Sequence, residues 1–299
     1  MTTLVTDAAP AARRRSPAAR TLRRFLRNRL AVAGAVMLIV AIVLSACAPL
    51  IARYEPNAVD LGAFRQPPSA EHWLGTDSSG RDVFARLAHA GRVSLAVGLL
   101  ASVAAVLAGL VLGAIAGTIG GLLDALIMRI ADIVLSFPAL IVIIVLAGIL
   151  GPSVPMLVIV FAACNWPTAC RVVRGLALSL REQEYVQAAR SAGADTGWII
   201  RRHIVPAVLG QVAVVGTLLV AQTILLEAVL SFLGLGVQPP QASWGNMLTD
   251  AQNLTLIRTM PWLWVPPGLA IALTVLAVNF VGDGLRDAVD PKQNRGAGR

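Results

Sequence analysis

An all-α polytopic membrane protein with six spanning helices is the fold this sequence predicts, and three observations predict it. Of 299 residues only 14% are charged and 57% are hydrophobic, with a mean hydropathy of +0.73. A soluble domain carries about 25% charged residues, so this chain lacks the polar material to clothe a globule of its size. The apolar mass is Ala, Val, Leu and Ile with 26 Gly, 17 Pro and 5% aromatics, which suits packed helices; barrel strands alternate apolar and polar residues and carry aromatic girdles. Charge-free runs also recur at about the 20 residues needed to cross a hydrocarbon core of roughly 30 Å.

The elements follow in order. A basic tail, 1–29, precedes an apolar run over 30–52 between Arg29 and Arg53, which is the first span. Its Leu44-Ser45-Ala46-Cys47 looks like a lipoprotein cleavage site, but the basic head is long and the run continues to Ala52, so it is read as an uncleaved span. A hydrophilic loop over 53–92 leads to a five-helix core over 93–283. The second span lies between Arg92 and Asp124, where Gly109, Gly113, Gly117 and Gly121 recur every four residues and predict a smooth packing face. Ile133 to Cys170 is charge-free for 38 residues, about 57 Å of helix and nearly two cores. Gly151, Pro152 and Pro155 divide it into spans three and four. Before it, Arg129 and Asp132 are three apart and are expected to pair on one helix face. The stretch His203–Val237, with the single charge Glu227, is the fifth span, Thr259–Gly282 the sixth, and 284–299 a tail.

Placement of charge gives orientation. With the N-terminus inside, 19 of the 25 Lys and Arg residues fall on the cytoplasmic side, so both termini are expected in the cytoplasm. The net charge of +9 is then topology and partner contact, with no nucleic acid required. Cys47, Cys164 and Cys170 read as buried thiols, and with His72, His89 and His203 they form neither a disulfide framework nor a metal site. No cofactor is expected. A Walker A loop needs a lysine, and Lys292 near the end is the only one. No catalytic residues are assigned, and the chain cannot hydrolyse ATP by a Walker A route.

The hydrophilic segments are the specific ones. The inner loop, about 171–206, predicts two short helices, with Gly193 ending the first by a positive φ and Asp195 or Thr196 capping the second. Ala188, Ala189, Ala192 and Ala194 at the bend would admit close approach by another protein; an interfacial helix pair on the bilayer is the competing reading. The series Gln187-Ala188-Ala189, Gly193 and His203-Ile204-Val205-Pro206 resembles the EAA loop of ABC-importer permeases, departing from it in Gln at 187, His at 203 and Val at 205. The outer segment His72-Trp73-Leu74-Gly75-Thr76-Asp77 with Gly80-Arg81-Asp82-Val83 is similar to C-type dipeptide, oligopeptide and nickel permeases. So are Leu230–Gly236 with Gln238-Pro239-Pro240, and Gly282–Asp287 with Asp290-Pro291.

The resemblance implies a type I ABC importer permease fold and a permease half for dipeptides or oligopeptides in the inner membrane of a prokaryote. It implies a B-type permease partner, two ATP-binding subunits and an extracytoplasmic substrate-binding protein. Coupling to the ATPase would fall on Glu184, Gln187, Ala188, Ala189, Gly193, Ala194, Asp195 and Pro206. Glu227 and Asn279, polar residues within apolar runs, either line a translocation path or hydrogen-bond a neighbouring span. The loop around Trp244 and Asn246, with 53–91, is expected to form the outer face that meets the binding protein. Import of nickel or another small solute is the alternative within the class. A stand-alone secondary transporter is the alternative outside it, disfavoured by the scarcity of intramembrane charge and of visible inverted repeats.

Overall fold

The computed structural model describes residues 17–289; the expected basic head before Pro17, Asp290-Pro291 and Lys292 lie outside them. Among the described residues the structure is helical, with a single isolated bridge, Thr76 to Asp82. Helix α1 (Pro17–Arg27) leads into α2 (Arg29–Ala46), whose start is capped by Asn28: its side-chain oxygen accepts from the Leu30 and Ala31 amides at 3.1 and 3.3 Å. The same side chain donates to Asp287 at 3.3 Å and ties the first span to the last. The apolar run expected to be one helix to residue 52 breaks at Cys47, and Pro49 starts the short α3 (Ala48–Ile51), because proline has no N–H to continue the ladder.

Helix α4 (Val83–Ile119) begins ten residues before the expected start of the five-helix core at 93. The charges at its start, which suggested loop, are matched by loop groups. Asp82 caps the helix through the Ala85 amide at 2.7 Å, and Arg86 donates to Pro56 O and Asn57 Oδ1, both at 3.3 Å, and lies 3.6 Å from Asp77. The glycine series on α4 meets α7 (Val154–Arg181). A Cβ on Gly109 would stand 2.5 Å from Ala169 Cβ, one on Gly113 2.5 Å from Cys170 O, and one on Gly117 2.6 Å from Ala177 Cβ. Gly121 does not belong to this face. Helix α4 ends at Gly120 (φ +75), Gly121 (φ +61) opens the next helix, and nothing lies within 4 Å of its would-be Cβ.

The third span is bent. Helices α5 (Gly121–Ser136) and α6 (Ala139–Leu150) meet at 84° across Phe137-Pro138, so the apolar stretch expected to start a straight helix at Ile133 turns at the proline. Counting that pair as one span, six segments are long and apolar enough to cross a membrane. The expected Arg129–Asp132 pair is not the one formed. Asp132 instead accepts from Arg171 of α7 at 2.6 Å, and Asp124 accepts both Nε and Nη2 of Arg174 at 2.5 and 2.7 Å. Both carboxylates of α5 are thus paired across to α7, and the Asp124–Arg174 contact is a bidentate fork.

Beyond α7 come α8 (Glu184–Ser191), α9 (Thr196–Ile199), a π-helical turn over Ile200–Ile204, and α10 (Val205–Phe232). The chain then passes through the short α11 (Trp244–Met247) and α12 (Leu254–Thr259) to α13 (Val265–Val289). One apolar core, with Phe161, Leu157, Ile143 and Leu230 fully buried, joins α4, α6, α7 and α10. A second gathers Trp244, Met247, Ile224 and Ile271 where α11 is inserted against α4, α10 and α13.

Candidate functional site

The inner loop is built by backbone caps. Helix α7 continues to Arg181, so the first part of the expected loop is helix, and α8 follows after a two-residue break. Helix α8 ends in a Schellman arrangement: the Gly193 amide donates to Arg190 O at 3.0 Å and the Ala194 amide to Ala189 O at 3.1 Å. This geometry places Gly193 at φ +87, in the left-handed region where a Cβ is penalised. Asp195 then caps α9, accepting from the Trp198 amide at 2.5 Å. Ala189, Ala192, Gly193, Ala194, Asp195 and Trp198 line an open concavity of about 460 Å³ at this bend.

Of the residues expected to couple, Gln187, Ala188, Ala189, Gly193, Ala194 and Asp195 therefore stand on one helix and its capped turn. Glu184 lies in the first turn of α8, and Gln187 donates to Glu182 at 3.3 Å. Pro206 is apart from them, in the first turn of α10, where its missing N–H is tolerated. An aromatic clamp was missed by sequence reasoning: the His203 ring packs 5.5 Å from Tyr185 and 5.1 Å from Trp198, joining α8, α9 and the π turn. His at a position occupied by an aliphatic residue in the general pattern was the available signal.

Glu227 is completely buried. Ser94 of α4 donates to one of its oxygens at 2.9 Å and Ser231 to the other at 2.7 Å. Each serine oxygen in turn accepts a backbone amide, Trp244 N at 3.1 Å and Val237 N at 3.0 Å. The carboxyl group thus fastens the 233–247 segment onto α4 and α10. Glu227→Ala would leave two buried hydroxyls without their acceptor and is expected to lower stability by about 1–3 kcal/mol. Glu227→Gln, which keeps an acceptor, should lose less, as read by thermal unfolding of the purified protein. Asn279 is half-buried on α13.

The outer loop is equally ordered by hydrogen bonds. Asp77 accepts from the Ser79 and Arg81 amides at 2.8 and 3.0 Å and from Arg81 Nε at 2.7 Å. His72 Nδ1 lies 2.9 Å from Asp82, and Thr76 donates to Ala63 O while accepting the Gln66 amide. Trp73 is exposed, but Trp244 is not on the outer face as expected. It is buried, with its indole N–H donating to Leu87 O at 3.1 Å, because the capping box of Ser243 and Asn246 turns it inward.

Asp250, in the short turn Leu248–Gln252, accepts from Ser78 at 3.3 Å beside this cluster. Burial and then the negative charge of Asp77 hold its carboxyl above the usual carboxylate range. A raised folded pKa means the folded state binds the proton more tightly, so stability from this group falls as pH rises from the ordinary Asp pKa through the raised one. Asp250→Asn is expected to flatten that part of the stability-against-pH curve, measured by thermal unfolding between about pH 4 and 7.

The candidate spans with the capped, largely exposed α8 turn define a multi-span membrane protein. The chain matches the model of the binding-protein-dependent transport system inner membrane component over residues 109–295, and that of the N-terminal TM domain of oligopeptide transport permease C over 16–68. It is 44% identical over 272 residues to the oligopeptide transport system permease protein OppC of Escherichia coli K12, covering 90% of this chain and 89% of that one. The OppC protein of Salmonella typhimurium is 44% identical with the same coverage. A permease protein of Brucella suis is 46% identical over 276 residues, 92% of this chain and 91% of its own. The chain belongs to the family of binding-protein-dependent transport system inner membrane components.

Proposed function

We propose that the chain is one transmembrane half of an ATP-driven importer for dipeptides or oligopeptides. The observation that carries the reading is the capped α8–Gly193 turn, presented as a concavity of small residues, together with 44% identity to permeases named for oligopeptides. The partners of this reading are a B-type permease half, two ATP-binding subunits engaging α8, and a soluble binding protein on the outer loops. Both termini are cytoplasmic, in keeping with 19 of 25 basic residues on that side.

Coupling is mechanical in this account. Closure of the ATP-binding subunits moves α8, and α7 and α10, joined to it through the caps and the aromatic clamp, carry the motion into the spans. The chain contributes no group to ATP hydrolysis; its part is to bind, to hold helices in register and to transmit. Reconstituting the complete complex in vesicles with labelled peptides tests this. Uptake that needs ATP, the binding protein and this chain supports the reading. Uptake by the lone chain without ATP overturns it.

A further inference from the structure

Beside the first span lies a cavity of about 660 Å³ bounded by α2, α4, α10 and α13, with Leu38, Ile42, Leu99, Val103 and Val220 among its walls. The fully buried residues of α2 lie near its two ends. Near the start, Ala31 and Gly34 are buried, and a Cβ on Gly34 would stand 2.6 Å from Ala277 O. Near the other end Ser45 is buried against Gly91. Between these points α2 lies along α13 with Met37, Leu38 and Ala41 half-buried, and the cavity opens between it and α4.

The lining along α4 runs from Arg92 to Leu107, about 22 Å of helix and more than half the ~30 Å depth of a hydrocarbon core. Its walls offer almost no polar atoms, so a peptide lying there would leave amides and carbonyls unpaired. The single charged group is Arg92, at the end nearest the 53–82 loop. Its Nε donates to Ser45 O at 2.7 Å and its Nη2 to Ala46 O at 2.5 Å. The side chain is exposed, and these two bonds leave further N–H donors of the five on a guanidinium.

We propose that this groove is a phospholipid site, with one acyl chain lying between α2 and α4 and the phosphate on Arg92. An exposed guanidinium at the mouth of an apolar slot long enough to take an acyl chain is complementary to that pairing of anion and alkyl chain. The site is independent of which solute is carried. Assigning the lipid to the outer leaflet rests on the orientation proposed above.

The test uses the complete complex in nanodiscs containing a phosphatidylglycerol with a diazirine midway along one acyl chain, followed by irradiation and peptide mapping. Adducts are expected to concentrate on Ile42, Leu99 and Val103 over exposed residues elsewhere on the bundle such as Leu122 and Ile149. Filling the slot from either wall, Val103→Trp or Val220→Phe, should deplete them. Arg92→Gln should lower phosphatidylglycerol retained through detergent washing about tenfold, the loss of a charge-assisted hydrogen bond, and Arg92→Lys should restore part of it. Complex assembly and ATP-dependent uptake, followed alongside, separate failure of this site from failure of the importer reading. Equal labelling of Leu122 and Leu99, retention unchanged by Arg92→Gln, or a cysteine at position 99 cross-linking to a partner subunit's helix would each overturn the proposal.

Discussion

Gly113→Leu is expected to remove the folded protein from the membrane almost entirely. Helices α4 and α7 touch along Gly109, Gly113 and Gly117, and at the middle position a Cβ alone would come within 2.5 Å of Cys170 O, 2.8 Å of Val173 Cβ and 3.1 Å of Arg174 N. Two of these three atoms are backbone and cannot rotate away, so the helices must separate. Overpacking a tight interface costs about 1–3 kcal/mol for added methylenes, and here separation also strains the Arg174–Asp124 and Arg171–Asp132 pairs that fasten α5 to α7. Gly175→Leu, on the same helix pair but with nothing within 4 Å of its would-be Cβ, is the matched control and should accumulate like the parent. The measurement is the yield of detergent-stable protein per cell; equal yields of the two variants would remove the α4–α7 contact from the account.

Gly193→Val should act in the opposite manner, leaving the protein folded and disabling its coupling. Nothing lies within 4 Å of a Cβ built on Gly193, so the cost is conformational: φ +87 is penalised by about 1–2 kcal/mol for a residue with a Cβ, and more for a β-branched one. The turn would relax, and α8 would lose its fixed direction relative to Asp195 and α9. Asn tolerates the left-handed region, so Gly193→Asn should recover much of the function. That rescue separates backbone geometry from surface chemistry, since asparagine, like valine, adds a side chain to the turn but tolerates a positive φ.

Much of this was legible in the sequence because it depended on composition and local spacing. The span count followed from charge-free runs, and the α8 turn followed from Gly193 and Asp195, whose backbone preferences act over a few residues. What escaped depended on partners distant in the chain. The start of α4 was hidden because Arg86 and Arg92 look like loop residues until Asn57, Asp77 and the end of α2 are brought to them. Gly121 fits the interval of four, but its positive φ places it after the helix break. Trp244 was expected on the outer face and proved to be core, in a short helix started by the Ser243–Asn246 capping box. Glu227 admitted two readings in sequence; the position of Ser94, 133 residues away, gives it a hydrogen-bonding role inside the bundle.

Transmission of the work of ATP binding into the spans is the part the α8 turn plays in the proposed importer. Its most direct measurement is labelled peptide accumulated per ATP hydrolysed by the reconstituted complex carrying wild-type, Gly193→Val or Gly193→Asn chain. Complexes of all three are expected to assemble, the valine variant to lose most peptide uptake and its stimulation of ATP hydrolysis by the loaded binding protein, and the asparagine variant to regain both. A valine complex that transports and couples like the wild type would contradict this role of the α8 turn.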